Sequence, residues 1–149
     1  MIRRRGNFLL FAFIIAGCGD TAPSVTVSDV QIVAPAPGRA ASVAYLTISN
    51  RGSDPVSIQE IESPQFERVE LHETVLDDGI ASMRPLGASV IGAGNDFAFK
   101  PGGRHIMLLE PTTGIMPGNM VTLQVHFTTG EMLIVQAPVS TRVSIDREK

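Results

Sequence analysis

Cysteine is nearly absent from this chain: Cys18 is the only one in 149 residues. No intramolecular disulfide can form, so the folded part must rest on a hydrophobic core of its own. Long apolar runs are missing too. The run Phe8 to Ile15 falls well below the ~18 residues that a spanning helix requires. Basic residues are few, 12 Lys and Arg against 15 Asp and Glu, and three of them (Arg3, Arg4 and Arg5) precede that run. If processing removes those three, the remaining formal charge is about −6. Such a surface repels phosphate backbones and anionic headgroups, which makes nucleic acid a poor partner. There is no G-x-x-x-x-G-K-[ST] phosphate loop and no G-x-S-x-G elbow. No stretch shows a sustained helical period with caps, and no internal repeat or low-complexity tract interrupts the chain.

What is present begins with a processing signal. Three arginines, a short apolar run, then Ala16 and Gly17 ahead of Cys18 resemble a bacterial lipobox, in which the thiol is acylated and becomes the first mature residue. The expected organisation is a lipoprotein signal peptide over 1–17 and a lipid-anchored spacer over 18–24. A single β-sandwich domain over 25–140 and a polar tail over 141–149 follow. A composition of 44% hydrophobic and 18% charged residues suits one packed domain of this length.

Within that domain the period is two. Val25 to Val33 is rich in β-branched residues and ends at Pro35 and Pro37, which remove backbone donors. Ala44, Leu46 and Ile48 share one face of the next strand, with Val43, Tyr45 and Thr47 on the other. Asn50 to Gly52 and Asp54-Pro55 supply a turn before Val56 to Ile61. In Arg68 to Val75, Val69 and Leu71 point inward, and Glu70, His72 and Thr74 point outward. Asp77-Asp78-Gly79 closes a hairpin that returns through Ile80 to Arg84, bringing Met83 back toward His72. After Pro101-Gly102-Gly103, His105 and Met107 project together from Arg104 to Leu109. Met120 to Thr128 alternates most cleanly, and Thr129 to Glu131 turns the chain into Met132 to Val139. Eight or nine short strands with turns every 8 to 12 residues predict an all-β antiparallel sandwich.

Four residues carry the chemistry. His72, Met83, His105 and Met107 follow one another as H-x10-M-x21-H-x-M. Two imidazoles and two thioethers form a soft, neutral donor set, and soft sulfur selects Cu(I). At this chain's own His and Met frequencies a chance match has odds on the order of one in ten thousand. The other candidates read more plainly. Met116, Met120 and Met132 are expected to fill the core as adaptable hydrophobes, and His126 is a solvent-facing or hydrogen-bonded strand residue. Asp77 and Asp78 are turn residues. Glu70 and Glu73 flank His72, and either is placed to hold an imidazole tautomer.

The spacing and its surroundings resemble the PCuAC family of periplasmic copper chaperones. The resemblance is carried by AYLTISNRG (Ala44 to Gly52), ESP (Glu62 to Pro64), VELHE (Val69 to Glu73), MRPL (Met83 to Leu86) and PGGRHIMLL (Pro101 to Leu109). It extends over roughly Val25 to Val139. It implies a cupredoxin-like Greek-key β-sandwich that is not an enzyme. One Cu(I) would be held by His72, Met83, His105 and Met107, in a monomer located in the bacterial periplasm and tied to the membrane through Cys18. It further implies delivery of copper to a partner, such as a cytochrome oxidase subunit or another copper chaperone, for assembly of the oxidase copper centre. Many relatives continue into a His- and Met-rich tail. This chain ends TRVSIDREK, with neither residue type, which fits one copper per domain.

Other functions fit the residues less well. A cupredoxin-like electron-transfer site needs a Cys thiolate, and Cys18 lies ahead of the domain. A copper enzyme needs redox cycling, which a thioether-rich site disfavours. Copper storage and a metal-free lipoprotein assembly module are the remaining alternatives.

Overall fold

In a computed structural model of the protein, residues 23–36 and 38–143 are described. The expected signal peptide, Cys18, most of the expected spacer, Pro37 and residues 144–149 of the expected tail lie outside the described residues. Ten strands follow in chain order: β1 (Val25–Val33), β2 (Ser42–Asn50), β3 (Val56–Glu62), β4 (Phe66–Asp77), β5 (Ile80–Pro85), β6 (Ser89–Ile91), β7 (Asp96–Phe99), β8 (Arg104–Pro111), β9 (Met120–Phe127) and β10 (Met132–Ser140). Among the described residues there is no helix. The all-β expectation from period-two patterning is met.

Alternation builds the core. Ala44, Leu46 and Ile48 of β2, Ile106 and Leu108 of β8, and Val121, Leu123, Val125 and Phe127 of β9 are all buried in one cluster. Burying a Leu, Ile or Phe side chain in this way contributes about 1.5–3 kcal/mol relative to leaving it exposed. Phe97 and Phe99 of β7 add an edge-to-face ring pair with centroids 5.4 Å apart, and Ile91 of β6 is also buried.

The hydrogen-bonded path runs β5-β4-β8-β2-β1-β10-β9-β3-β6, with β7 paired to β2 off the path. It departs from the sequence expectation in two ways. The described residues form ten strands instead of eight or nine, because β6 and β7 span only three and four residues and gain strand character by pairing with β3 and β2. The sandwich is also not wholly antiparallel, since β1 and β10 run parallel through Ile32 to Val139 and Val33 to Ser140. Parallel neighbours need a long connection. Here it is the entire domain, and the pair carries the path from one sheet to the other.

Two local features position the region of interest. At the β4–β5 turn, Asp78 and Gly79 both adopt positive φ (48° and 80°), the two-residue geometry that Asp-Gly favours in a right-twisted hairpin. The β4–β8 ladder ends at Glu73–Arg104. Beyond it, Thr74 to Asp77 pair with β5. The end of this hairpin therefore extends past β8 as a two-stranded ribbon.

Candidate metal centre

Register brings the four residues together. His72 of β4 lies directly opposite His105 of β8, and directly opposed residues share a face. Their rings are 6.1 Å apart, centroid to centroid, and tilted by 39°. Met107, two residues beyond His105, lies opposite Glu70. Met83 of β5 lies opposite Thr74. Because Glu70, His72 and Thr74 are separated by steps of two, all of these side chains emerge from the same face of the β5–β4–β8 sheet. His72 is at the centre, with Met83 and Met107 on diagonal positions, a separation of about 7–8 Å that long side chains can bridge. Leu71, Ile106 and Leu108 on the reverse face pack into or against the core.

The two imidazoles are fixed by acceptors. His105 Nδ1 lies 3.0 Å from the carbonyl oxygen of Gly103, and a carbonyl only accepts, so Nδ1 carries the hydrogen. His72 Nε2 lies 2.9 Å from Glu70 Oε2. An ionised carboxylate also only accepts, so here the hydrogen is on Nε2. The other nitrogens, His72 Nδ1 and His105 Nε2, are buried and have no protein partner. An unpaired buried polar atom costs stability unless something binds it. Two bare lone pairs beside two thioethers fit a soft metal ion. Among the described residues no group of three or more His, Cys, Asp or Glu is arranged to hold a metal.

Burial grades the four. His105 is only 6% exposed although it points away from the core, and the side chain of His72 is 18% exposed. Met107 is half-buried. Met83, on the ribbon, is 54% exposed.

Residues 25–139 match the family described as "Putative lipoprotein LpqE-like". The chain belongs to the LpqE-like family. Among curated relatives, RP573 of Rickettsia prowazekii (strain Madrid E) is 29% identical over 66% of this chain and 55% of its own length. The LpqE-like chain thus spans about half of that protein. The "Putative lipoprotein Lxx21020" of Leifsonia xyli subsp. xyli is 30% identical over 81% of this chain and 72% of its own. The fold is shared with solved PCuAC domains. The copper-bound PCuAC domain from PmoF2 superposes with a TM-score of 0.66 at 17% identity, covering 80% of this chain and 95% of that one. The Cu(I) form of DR1885 from Deinococcus radiodurans gives 0.64 at 24% identity, covering 85% of each.

In this LpqE-like protein the two glutamates flanking His72 divide. Glu70 shares the face of His72 and bonds it. It is itself held on Oε1 by Arg68 Nε at 3.2 Å, and Arg68 reaches Glu110 at 3.2 Å. Glu73, one residue out of phase, pairs with Arg84 across the hairpin at 2.8 Å. Arg68 and Glu110 were not singled out from the sequence. Their signal was present as period-two spacing from Glu70 and as the cross-strand neighbourhood of β4 and β8.

Proposed function

We propose that this protein is a periplasmic metallochaperone that holds one Cu(I) through His72, Met83, His105 and Met107 and passes it to a copper-receiving partner. The observation that carries this reading is the pair of buried, partnerless imidazole nitrogens on the sheet face that also bears Met83 and Met107. The copper-bound state of two proteins sharing the fold supports it. Thioethers bear no charge and need no deprotonation, so they retain Cu(I) without the anionic attraction of thiolates and yield it readily to a better donor set. The protein performs no catalytic step. The receiving protein is a cytochrome oxidase subunit or another copper chaperone, and the route serves assembly of the oxidase copper centre. The lipoprotein names of the family and of Lxx21020 support an anchor at Cys18.

Anaerobic titration with Cu(I) against a competing chelator tests the site. One tight equivalent is expected. Two tight equivalents, or none, would refute it. For the anchor, Cys18→Ser should move the protein to the soluble periplasmic fraction with copper binding unchanged, because the multiple chains of a bacterial lipoprotein hold a membrane firmly where a single chain does not.

A further inference from the structure

We propose that Glu70 is a positioning residue of the copper site. By accepting the Nε2–H of His72 it makes His72 coordinate through Nδ1, while the Gly103 carbonyl makes His105 coordinate through Nε2. The inference rests on the copper reading above and adds to it which atom of each ring meets the metal and which side chain decides.

The argument is one of acceptors and faces. A neutral imidazole has one hydrogen and one lone pair, and only the nitrogen with the lone pair can ligate. On His105 the choice is made by main chain: Gly103 O is 3.0 Å from Nδ1, and no substitution at position 103 can remove the carbonyl. On His72 the choice depends on a side chain, Glu70 Oε2, at 2.9 Å. Glu70 is suited to the task because its other oxygen is already engaged by Arg68, whose guanidinium is held in turn by Glu110. The carboxylate is thereby gripped from behind and presents a single oxygen to the ring. Glu70 also lies directly across the ladder from Met107. Its orientation therefore bears on the imidazole and on the space beside a thioether donor together. Were Glu70 only one member of a surface ion-pair chain, its removal would alter neither the His72 tautomer nor the metal.

Two readouts test this on the full mature protein. Nitrogen-15 NMR at about pH 8, where an ordinary imidazole is neutral, reports which ring nitrogen is protonated without any metal present. The wild type should show a protonated Nε2 on His72 and a protonated Nδ1 on His105. Added Cu(I) should then perturb Nδ1 of His72 and Nε2 of His105. Glu70→Ala should leave His72 with both tautomers populated, and Cu(I) affinity in the chelator competition should drop about 10- to 100-fold, the range for loss of a group orienting a metal-bound histidine. Glu70→Gln, whose amide oxygen still accepts, should lose less than about tenfold. Glu73→Ala, on the opposite face, should leave both readouts unchanged. If Glu70→Ala matches the wild type in tautomer and affinity, or if Cu(I) perturbs Nε2 of His72, the positioning role is wrong while the copper site stands. If the wild type binds no Cu(I), both fail.

Discussion

The two sheets carry the same kinds of residue on their outer faces, yet only one of the two arrangements supports the metal site proposed above. On the first sheet, His72 has Glu70 beside it and Met107 and Met83 on its diagonals. On the second, His126 of β9 lies directly opposite Met132 of β10 and Glu60 of β3, with Nε2 3.2 Å from Glu62 Oε2. Histidine, methionine and glutamate are thus neighbours in both places. What differs is the rung of the ladder that holds two imidazoles at once. His105 supplies a second lone pair beside the first and shields it, whereas His126 is a lone ring, 31% exposed, whose Nε2 faces a carboxylate without the alignment of a hydrogen bond. Cross-strand pairing of a His with a Met is therefore insufficient. On the copper reading proposed above, a second nitrogen, held bare by a main-chain acceptor, makes the difference.

That contrast can be broken most sharply at the imidazoles. His72→Ala and His105→Ala should each lower Cu(I) affinity by more than the roughly 100-fold that marks loss of an orienting group, measured by competition with a chelator. His105→Ala should also lower the thermal midpoint, because it alone of the four is fully packed. The thioethers come next. Met107→Ala should cost more than Met83→Ala, with about tenfold, or 1.4 kcal/mol, as the scale for one donor. Met107 shares a strand with His105 and is half-buried, while Met83 sits on an exposed ribbon. Limited peroxide oxidation followed by mass spectrometry should sharpen the comparison further. Met116, Met120 and Met132 do not fill the core as expected from the sequence but are exposed to a degree comparable with Met83. Sulfoxide at Met83 should weaken binding, and bound Cu(I) should protect Met83 while leaving Met116 and Met132 unprotected. Smallest of all, His126→Ala and Met132→Ala should leave Cu(I) affinity unchanged and stability within about 0.5 kcal/mol of wild type. A loss of copper at His126→Ala would erase the distinction between the two faces.

Much of this was legible in the sequence because strands announce themselves by period two. Alternation in Val121 to Phe127 placed the core, and Val69 and Leu71 against Glu70 and His72 set the outward face. Asp78-Gly79 located the hairpin that returns Met83 to β4. Four things were not legible. Segments as short as Ser89–Ile91 and Asp96–Phe99 hold too few residues to show a period, and their state comes from their partners. The parallel β1–β10 contact joins residues over a hundred positions apart, which no local pattern encodes. The burial of His105 was hidden because phase predicts the face a side chain leaves from, and what then lies over it depends on the neighbouring ring of His72 and the turn at Gly103. Likewise Glu70 and Glu73 stood as equals until phase was combined with the position of Arg84, which takes Glu73 to the far side.

The Gly103 carbonyl has a mechanical consequence. A carbonyl oxygen has two lone pairs, and this one accepts from His105 Nδ1 at 3.0 Å and from the backbone N–H of Thr74 at 3.1 Å. Thr74 is the rung across from Met83, at the base of the ribbon. One atom is therefore the common fulcrum of a ring and a hairpin: on the copper reading proposed above, a partner that levered the ribbon aside would pull on the oxygen that steadies the imidazole, so His105 and Met83 would loosen in concert rather than in turn.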